Sequence, residues 1–446
     1  MINKILDYFK KIQDRTDIHT YEVITKSSSA MIVKLIGMIA GLILSIFVAR
    51  LIGAEGVGII SLSNKIVAII LIIGLVGMPA VIIKEVAIAK NKNDLQAISN
   101  VMKTAYWLNG SIIFILSIVI ILISPWLANS VFKKPDLLIP LIIMTVVMTP
   151  QVFSRIFSSG LIGFKKIWQS NLVKKTLSSS ISGVLLFIVW LIEIEITIII
   201  IAFIYAMGRL IVAISIGFYW KYLNQIKIQS KTILRKLIKT ALPLYVVSIS
   251  GILINQLDII ILAFFADAKE VGLYAVASRL ALLTIFFLQI TNSAVSPKIA
   301  YLFASKNKNE LQTMIQKTTR ILAVISIFPM LTYLFFGNHI LSIWGEEFTN
   351  AFQILIVLSF GQLVNTVTGA VGQILIMTGE EVLQSKISIF FGIWGIIQAI
   401  ILGYFFGVYG IAYSQAINIS MVNIVKSFYV YKRLNIDIYG LSKIKF

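Results

Sequence analysis

The heptad KNKNDLQ at residues 90–96 recurs, with one Asp-to-Glu change, as KNKNELQ at residues 306–312, a spacing of 216. A second pair of matching segments lies upstream at a spacing of 214. GAEGVGII at 53–60 and DAKEVGLY at 267–274 share their Ala, their Val-Gly pair and the apolar character of the residue that follows. Two pairs of matching segments with nearly the same spacing are unlikely to arise by chance. A spacing close to half of the 446 residues indicates a direct duplication.

The composition is that of a membrane protein. Apolar residues make up 58% of the chain and charged residues 13%, which is about half the charged share of a soluble domain. Apolar stretches of roughly 20 residues, long enough to cross a bilayer, follow one another along the chain. They leave no room for a soluble domain. The formal charge of +20 is explained by positively charged cytoplasmic loops, so we expect no nucleic-acid partner.

The sequence lacks the residue sets that indicate an enzyme. It contains no cysteine and only two histidines, so it offers neither a thiol nucleophile nor a cluster of soft metal ligands. It has no Gly-x-x-x-x-Gly-Lys-Ser/Thr motif for a nucleotide phosphate. No paired catalytic carboxylates and no Ser/His/Asp set can be assembled. We therefore expect no catalytic residues, no metal and no cofactor.

The apolar pattern predicts an all-α polytopic membrane protein with about twelve transmembrane helices, six in each half. Because six is even, both halves have the same orientation, and the duplication is parallel. Most of the 39 Lys and Arg residues fall in one set of loops, whereas only Lys133, Lys134 and Lys269 fall in the alternate set. By the positive-inside rule, both termini are cytoplasmic.

These patterns divide the chain into five segments. They are a cytoplasmic N-terminal segment at 1–26, a first six-helix half at 27–220, a Lys-rich amphipathic linker on the cytoplasmic membrane surface at 221–240, a second six-helix half at 241–431, and a cytoplasmic tail at 432–446. The loops on the opposite side are short. A membrane glycosyltransferase would therefore have no external domain to carry catalytic groups.

Lys65 and Arg279 are the sharpest candidates for a binding site. They are 214 residues apart, in register with the second pair of matching segments, and lie at matching depth in the second and eighth spans. The duplication thus keeps a cation at one place in each half, where a pseudo-twofold axis brings equivalent faces to a shared central cleft. Two such cations form a site for an anion. Two side chains that extend to the membrane surface would give the same pattern.

Further cations lie inside the predicted spans. Arg209 falls near the middle of the sixth span, where an unpaired cation costs at least about 3 kcal/mol. We therefore expect Arg209 to face the bundle interior and to join the anion site. Lys34 lies about two turns into the first span and either lines the cleft or extends to the interface. Arg155 has a similar depth and can also extend to the interface.

Asp258 is the carboxylate that lies most clearly inside a span. It precedes the turn at 267–270 by about as many residues as Arg279 follows it, so the two could pair across the hairpin. The position equivalent to Asp258 in the first half is Leu44, which would leave Lys65 as the freer anion ligand. Asp258 would then either neutralise Arg279 in a static salt bridge or take part in a proton or sodium switch.

Three more residues complete the predicted set for coupling or gating. Asn255 precedes Asp258 by about one helical turn. Pro79 and Pro297 lie near the inner ends of the equivalent second and eighth spans. Helix breaks at such positions suit gating, but they also occur in static bundles.

The segment VARLIGAEGVG at 48–58 resembles the bacterial polysaccharide exporter family, which includes the O-antigen flippases. Asp258 followed by IIIL, and the GLYA segment at 272–275, are similar to the second-half pattern of that family. The family belongs to the multidrug/oligosaccharidyl-lipid/polysaccharide superfamily. The resemblance extends to the two sets of six spans and to the cytoplasmic termini.

This resemblance implies a flippase. Its substrate would be an undecaprenyl-diphosphate-linked oligosaccharide, such as an O-antigen repeat unit for lipopolysaccharide, moved from the cytoplasmic to the periplasmic leaflet of the bacterial inner membrane. Similarity to the lipid II flippase branch implies that Lys65 and Arg279 contact the lipid diphosphate. Membrane lipids, a polysaccharide polymerase and chain-length proteins are the implied partners. A drug/cation antiporter of the same superfamily remains the alternative, although such a protein should line its cleft with acids.

Overall fold

The computed structural model describes residues 18–223 and 256–440, together with positions 234, 237, 238, 240–242 and 245 between them. Side chains are described from residue 32 onward, except at 174 and 175. The described part is helical and contains no β-strand.

The helices are numbered α1 to α15 in chain order. In the first half they are α1 (Ile18–Leu75), α2 (Met78–Asn91), α3 (Leu95–Trp126), α4 (Leu138–Val146), α5 (Met148–Gly163), α6 (Ile167–Asn171), α7 (Leu177–Leu191) and α8 (Ile198–Leu223). In the second half they are α9 (Asp258–Phe265), α10 (Ala268–Ala281), α11 (Phe286–Ala304), α12 (Lys308–Ser342), α13 (Phe352–Val367), α14 (Val371–Met377) and α15 (Glu381–Leu434). Short π-helical turns follow α3 and α6, and 3₁₀ turns precede α4 and α13.

Two of these elements, α1 and α15, each consist of two helical arms joined by a sharp turn. Helix α1 leaves helical geometry at Gly53, with φ 65° and ψ −175°. Ser45 and Ile60, on either side of Gly53, line one small cavity, although a straight helix would separate them by about 22 Å. Helix α15 turns in the same way at Gly407, which has φ 54° and ψ −133°. A positive φ of this kind costs glycine little.

The repeated segments cap helices at corresponding turns. Asp94, in the first heptad, accepts a hydrogen bond from Ala97 N at 2.8 Å and begins α3. Asn307, in the second heptad, begins α12 by accepting from Glu310 N at 3.3 Å. In the other pair of matching segments, Gly53 corresponds to Asp267, which begins α10 with a capping box. The duplication has therefore preserved the turns at both ends of the second span of each half.

The predicted architecture of about twelve membrane-crossing helices in two halves is confirmed. Six described helices are long and apolar enough to span a bilayer, or eight if each of two pairs bent by 45° counts as one span. Separating the arms of α1 and α15 and adding α6–α7 gives eleven crossings. Helix α9 is the end of a twelfth, whose earlier residues lie largely outside the described part.

We call the end of the bundle with the turns at Gly53 and Asp267 the hairpin end, and the end with the two repeated heptads the loop end. The halves cross near the hairpin end, at two equivalent glycines. A Cβ atom on Gly58 would lie 1.8 Å from Ala268 O, and a Cβ on Gly272 would lie 1.8 Å from Ala54 O. The glycines of the repeated Val-Gly pair, Gly58 and Gly272, therefore contact the opposite half at the pseudo-twofold axis.

Near both limits of the described part, ordered structure extends beyond the predicted spans. Helix α1 is already helical at Ile18 and continues through residue 27. After α15, Ile436 and Ile438 are buried in a cluster with residues of α11 and α12, and Gln316 Nε2 donates to Asp437 O at 2.8 Å. The predicted linker at 221–240 lies mostly outside the described residues.

Candidate functional site

A central cavity of about 580 Å³ lies between the two halves. Its wall in α1 runs from Lys34 to Leu44, so it ends about 13 Å short of the turn at Gly53. The cavity thus extends from the middle of the bundle towards the loop end. Helices α5, α7, α8, α10 and α11 supply most of the rest of the wall, together with the turn after α6 and the break between α10 and α11. Its polar and charged lining residues are Lys34, Gln151, Ser154, Arg155, Ser178, Ser179, Tyr205, Arg209, Arg279 and Gln289.

The charge of this cavity has one sign. Lys34, Arg155, Arg209 and Arg279 line it, and none of the lining residues in the described part of the chain is acidic. Four cations in a space partly shielded from water create a strong positive potential, because charges interact more strongly at low dielectric. Such a space favours an anion with several oxygen acceptors, such as a phosphate or diphosphate.

Arg209 lies on α8 in the cavity wall, as its mid-span position predicted. Its Nη2 atom donates to Asn64 Oδ1. Its Nη1 atom is buried and has no hydrogen-bond partner among the described residues. An unsatisfied guanidinium N–H is costly to bury, and Nη1 would reach an anionic ligand in the cavity only after the Arg209 side chain moves.

Arg279 and Lys34 reach from one half to the other. Arg279 Nη1, on α10, donates to Gly41 O in α1 at 3.5 Å, and its side chain is exposed to the cavity. Lys34 Nζ, on α1, donates to Gln289 Oε1 in α11 at 2.5 Å. Lys34 therefore lines the cleft, which was one of its two predicted positions.

Asp258 pairs with Lys65 and not with Arg279, so the salt bridge to Arg279, one of the two roles predicted for Asp258, was wrong. Asp258 Oδ1 accepts from Lys65 Nζ at 3.3 Å across the two halves, and Tyr274 Oη donates to Asp258 Oδ2 at 3.4 Å. Asp258 is 7% exposed and Lys65 23%. Lys65 is therefore tied to an acid outside the central cavity, whereas Arg279 lines the cavity. The sequence had predicted the reverse.

The helix geometry explains this exchange. Asp258 contacts Tyr274 of its own hairpin, and Arg279 follows Tyr274 by five residues, a rotation of about 140°. Arg279 therefore points to the opposite side of α10. Lys65 and Arg279 each cross to the other half, as the pseudo-twofold requires, but they meet different residues. Lys65 meets Asp258, whereas Leu44, the equivalent of Asp258, lies in the cavity wall with Arg279.

The other residues predicted for coupling or gating lie in different structural contexts. Asn255 lies outside the described residues. Pro79 is the second residue of α2, directly after a break at Val76 and Gly77, both of which have positive φ. Pro297 lies inside the continuous helix α11, and the 45° bend in that span lies between Ala281 and Phe286 instead.

The hairpin end is closed by hydrogen bonds between the halves. Arg50 donates to Ser342 O and Ile343 O, each at 2.8 Å. Glu347 Oε1 accepts from Ala54 N, beside the α1 turn, at 2.7 Å. Together with the glycine contact on the axis, these bonds separate the central cavity from the hairpin end.

Lys134 forms a buried hydrogen-bonded contact between the halves at the same end. Its Nζ, in the loop after α3, donates to Ala263 O at 2.8 Å and to Ala266 O at 2.9 Å. These carbonyls terminate α9 of the other half, where a cation is favourable. Burial lowers the pKa of Lys134, and the nearby carboxylates of Asp267 and Glu270 oppose this shift.

Sequence reasoning missed two of these residues. Arg155 was considered only as a side chain that could extend to the interface, but it lines the central cavity. Lys134 was read only as one of few cations on its side of the membrane. The small number of cations in these loops could have drawn attention to Lys134, because the positive-inside rule does not explain a lysine on the cation-poor side. No group of three or more His, Cys, Asp or Glu residues that could hold a metal occurs among the described residues.

The fold and the cavity define a polytopic membrane protein whose two parallel halves enclose a cationic chamber. The model of the family described as "Polysaccharide biosynthesis protein" matches residues 23–303, more than half of the chain. The chain belongs to this family. A model of the MatE family also matches residues 243–404, within the second half.

Solved structures share the fold. A multidrug resistance MATE family transporter of the MOP superfamily, in an inward-facing conformation, is similar with a TM-score of 0.74 at 16% identity, over 95% of this chain and 100% of that chain. The lipid II flippase MurJ, in an inward closed conformation, gives 0.74 at 15% identity, over 90% and 87%. A MOP superfamily transporter from Pyrococcus furiosus, described as having a binding pocket of reverse polarity, gives 0.67 at 17% identity, over 95% and 97%.

A curated relative matches in part. The probable low-salt glycan biosynthesis flippase Agl15 of Haloferax volcanii is 23% identical to this chain over 184 residues. The match covers 41% of this chain and 39% of the length of that protein.

Proposed function

We propose that the protein is a flippase that carries the anionic head group of a lipid-linked oligosaccharide across the membrane. The central cavity carries this proposal, because four cations and no acid line it within the described residues. A diphosphate offers the oxygen acceptors that guanidinium and ammonium donors bind best. Membership of the polysaccharide biosynthesis family and the similarity to a glycan flippase support a saccharide as the cargo.

The size of the cavity limits what it encloses. A volume of about 580 Å³ suits a diphosphate with one or two sugars, since ligand sites commonly measure about 300–1,000 Å³. The lipid tail would remain in the bilayer. We propose an undecaprenyl-diphosphate carrier and a repeat unit of O-antigen or a similar surface polysaccharide, with a polymerase and chain-length proteins as downstream partners.

The positions of the basic loops support an orientation. With the loop end in the cytoplasm, both termini are cytoplasmic and the hairpin end faces the periplasm of the bacterial inner membrane. The closed hairpin end then corresponds to an inward-facing state that is ready to accept substrate from the cytoplasmic leaflet. Opening the contacts of Arg50, Lys134 and Glu347 would release the substrate outward without any chemical step.

A drug/cation antiporter is the second candidate, and Asp258 is the feature that favours it. Its carboxylate lies beside a small polar space lined by Ser414, Gln415 and Asn418, where protons or sodium ions could act. A cationic drug, however, would be repelled by the central cavity. We assign Asp258 and Lys65 to coupling by a proton or sodium ion, and we assign the central cavity to the anionic substrate.

A flipping assay in vesicles of known protein orientation tests this proposal. The substrate is a fluorescent undecaprenyl-diphosphate oligosaccharide, and its exposure is read by quenching from one side. We expect wild-type protein to flip this lipid and Arg279→Gln to lose most of the activity. Lys317→Gln, which removes an exposed cation of α12, is the matched control. Flipping of a neutral analogue at the same rate, or uptake of cationic dyes in place of the lipid, would overturn the proposal.

A further inference from the structure

A second cavity, of about 400 Å³, lies at the loop end of the first half between α3, α5 and α8. Within the described ranges it shares no lining residue with the central cavity. Its walls are formed by Leu95, Ile98, Ser99, Met102, Lys103, Tyr106, Phe157, Gly217, Trp220 and Lys221. The transport cycle proposed above makes no use of this space.

The wall is cationic at two points and apolar elsewhere. Lys103, on α3, is half-buried, and Lys221, in the last turn of α8, is exposed. Met102, Phe157 and Trp220 provide an apolar and aromatic surface beside these two ammonium groups. A ligand that fits both parts has an anionic group joined to a hydrocarbon chain.

Aromatic side chains indicate the depth of this cavity in the membrane. Trp107, next to Tyr106 on α3, is 66% exposed, and Phe218 and Tyr222 on α8 are 70% and 73% exposed. Exposed Trp and Tyr residues on a membrane protein concentrate at the head-group level of the bilayer. The mouth of the cavity therefore faces the lipid head groups.

The wall is fixed in place before any ligand arrives. Trp220 is 7% exposed, and its ring packs edge-on against Phe164 at 5.6 Å. A Cβ atom on Gly160 would lie 2.5 Å from the Trp220 ring, so the indole occupies the space that glycine leaves. Lys90 Nζ lies 4.9 Å from the Phe164 ring centroid, which brings another cation to this corner.

The acid nearest to this site along the chain is not one of its lining residues. Asp94 immediately precedes the lining residue Leu95, and its side chain caps α3 by accepting from Ala97 N at 2.8 Å. The lining residues in the described part of the chain include two lysines and no carboxylate. The local charge therefore complements an anion.

We propose that this cavity binds an anionic phospholipid of the surrounding bilayer, with its phosphate between Lys103 and Lys221 and one acyl chain against Met102 and Phe157. Basic pockets between transmembrane helices bind anionic head groups in this way. The bound lipid would hold α3 and α8 against α5. This inference depends on the chain being a membrane protein and is independent of the transported substrate.

Native mass spectrometry of the purified full-length protein in detergent tests the proposal. Phosphatidylglycerol and phosphatidylcholine with the same acyl chains are titrated separately. We expect phosphatidylglycerol to bind more tightly, and Lys103→Gln/Lys221→Gln to weaken its binding about 30-fold, given about 1 kcal/mol per lysine near the surface. Binding of phosphatidylcholine should hardly change. Lys308→Gln/Lys317→Gln removes two exposed cations at the same end of the bundle and should leave the preference intact.

A second variant tests the apolar part and keeps both lysines. A Cβ atom on Gly217 would lie 3.8 Å from Phe157, so Gly217→Leu fills the cavity without a backbone clash and should also lose tight binding of phosphatidylglycerol. Soluble glycerol phosphate should fail to compete. Equal binding of the two lipids by wild-type protein would overturn the proposal. So would full competition by glycerol phosphate, which would identify a free phosphate as the ligand, or an equal loss in the Lys308/Lys317 control.

Discussion

Lys65 and Asp258 form an ion pair of 3.3 Å between the two halves, and this pair explains why the central cavity has a one-sided charge. The duplication placed a cation at 65 and another at 279, but an acid only at 258, since its counterpart is Leu44. One duplicated cation is thereby neutralised, and the other faces the cavity. The presence of Asp258 in one half and Leu44 in the other thus leaves Lys65 in an ion pair and Arg279 in the anion site.

The first prediction concerns the stability of this pair. Lys65→Gln should leave the 7% exposed carboxylate of Asp258 without its ammonium partner and lower the free energy of unfolding by about 3 kcal/mol, at the low end for a buried pair because Lys65 is partly exposed. Asp258→Asn in the same protein should recover most of that loss. Thermal unfolding in detergent, followed by tryptophan fluorescence, measures all four proteins of the cycle. Additive losses in the double variant would contradict the pairing.

The second prediction concerns coupling through Asp258. If this carboxylate couples transport to protons or sodium, Asp258→Asn/Lys65→Gln should fold and still bind substrate. It should flip the lipid at a rate that no longer responds to an imposed pH or sodium gradient. Wild-type vesicles under the same gradients are the reference. A gradient response that survives in the double variant would remove Asp258 from the coupling role.

The third prediction recreates the missing acid. Leu44 is 4% exposed and lines the central cavity with Arg279. Leu44→Asp should place a carboxylate where Arg279 can pair with it, in imitation of Lys65 and Asp258. We expect flipping to fall about 10- to 150-fold, because each charge-assisted hydrogen bond to the substrate contributes about 1.5–3 kcal/mol.

Leu44→Asn is the control for this change, since it has the same shape as the Asp variant and no charge. It should retain much more activity than Leu44→Asp. Equal activity of the two variants would show that Arg279 does not bind the anionic group of the substrate.

The fold and the cavity were predictable to different degrees. Register alone gave Lys65 and Arg279 equivalent depths in the two halves, because a duplication transfers depth directly from one half to the other. The contact between Gly58 and Gly272 was not predicted, although both glycines lie in the repeated Val-Gly segment. The partner of Asp258 could not be read in this way. The distance of a residue from the hairpin turn gives its depth in the membrane but not the side of the helix on which it lies. Arg279 is rotated by about 140° from Tyr274 around α10, and this rotation keeps it away from Asp258.

The fourth prediction concerns the glycine contact on the axis. Gly272→Ala adds a Cβ atom 1.8 Å from Ala54 O, which forces the two hairpins apart at the hairpin end. The protein has no cysteine, so Ser61→Cys, in the small cavity beneath this contact, reports opening through its rate of thiol labelling. We expect labelling to rise in Gly272→Ala. Gly183→Ala, where a Cβ atom would meet nothing within 4 Å, should leave the rate unchanged.

The last prediction concerns Lys134, which closes the same end by a different contact. Lys134→Met keeps the length of the side chain but removes the donor to Ala263 O and Ala266 O. Each buried carbonyl left without a partner costs about 1–3 kcal/mol, and the closed state bears this cost because opening exposes the end of α9 to water. The Ser61→Cys reporter should therefore label at least about fivefold faster. Lys133→Met is the matched control, because Lys133 is exposed in the same loop with the same charge. Equal acceleration by the two variants would attribute the effect to loop charge and would remove Lys134 from the closure of the hairpin end.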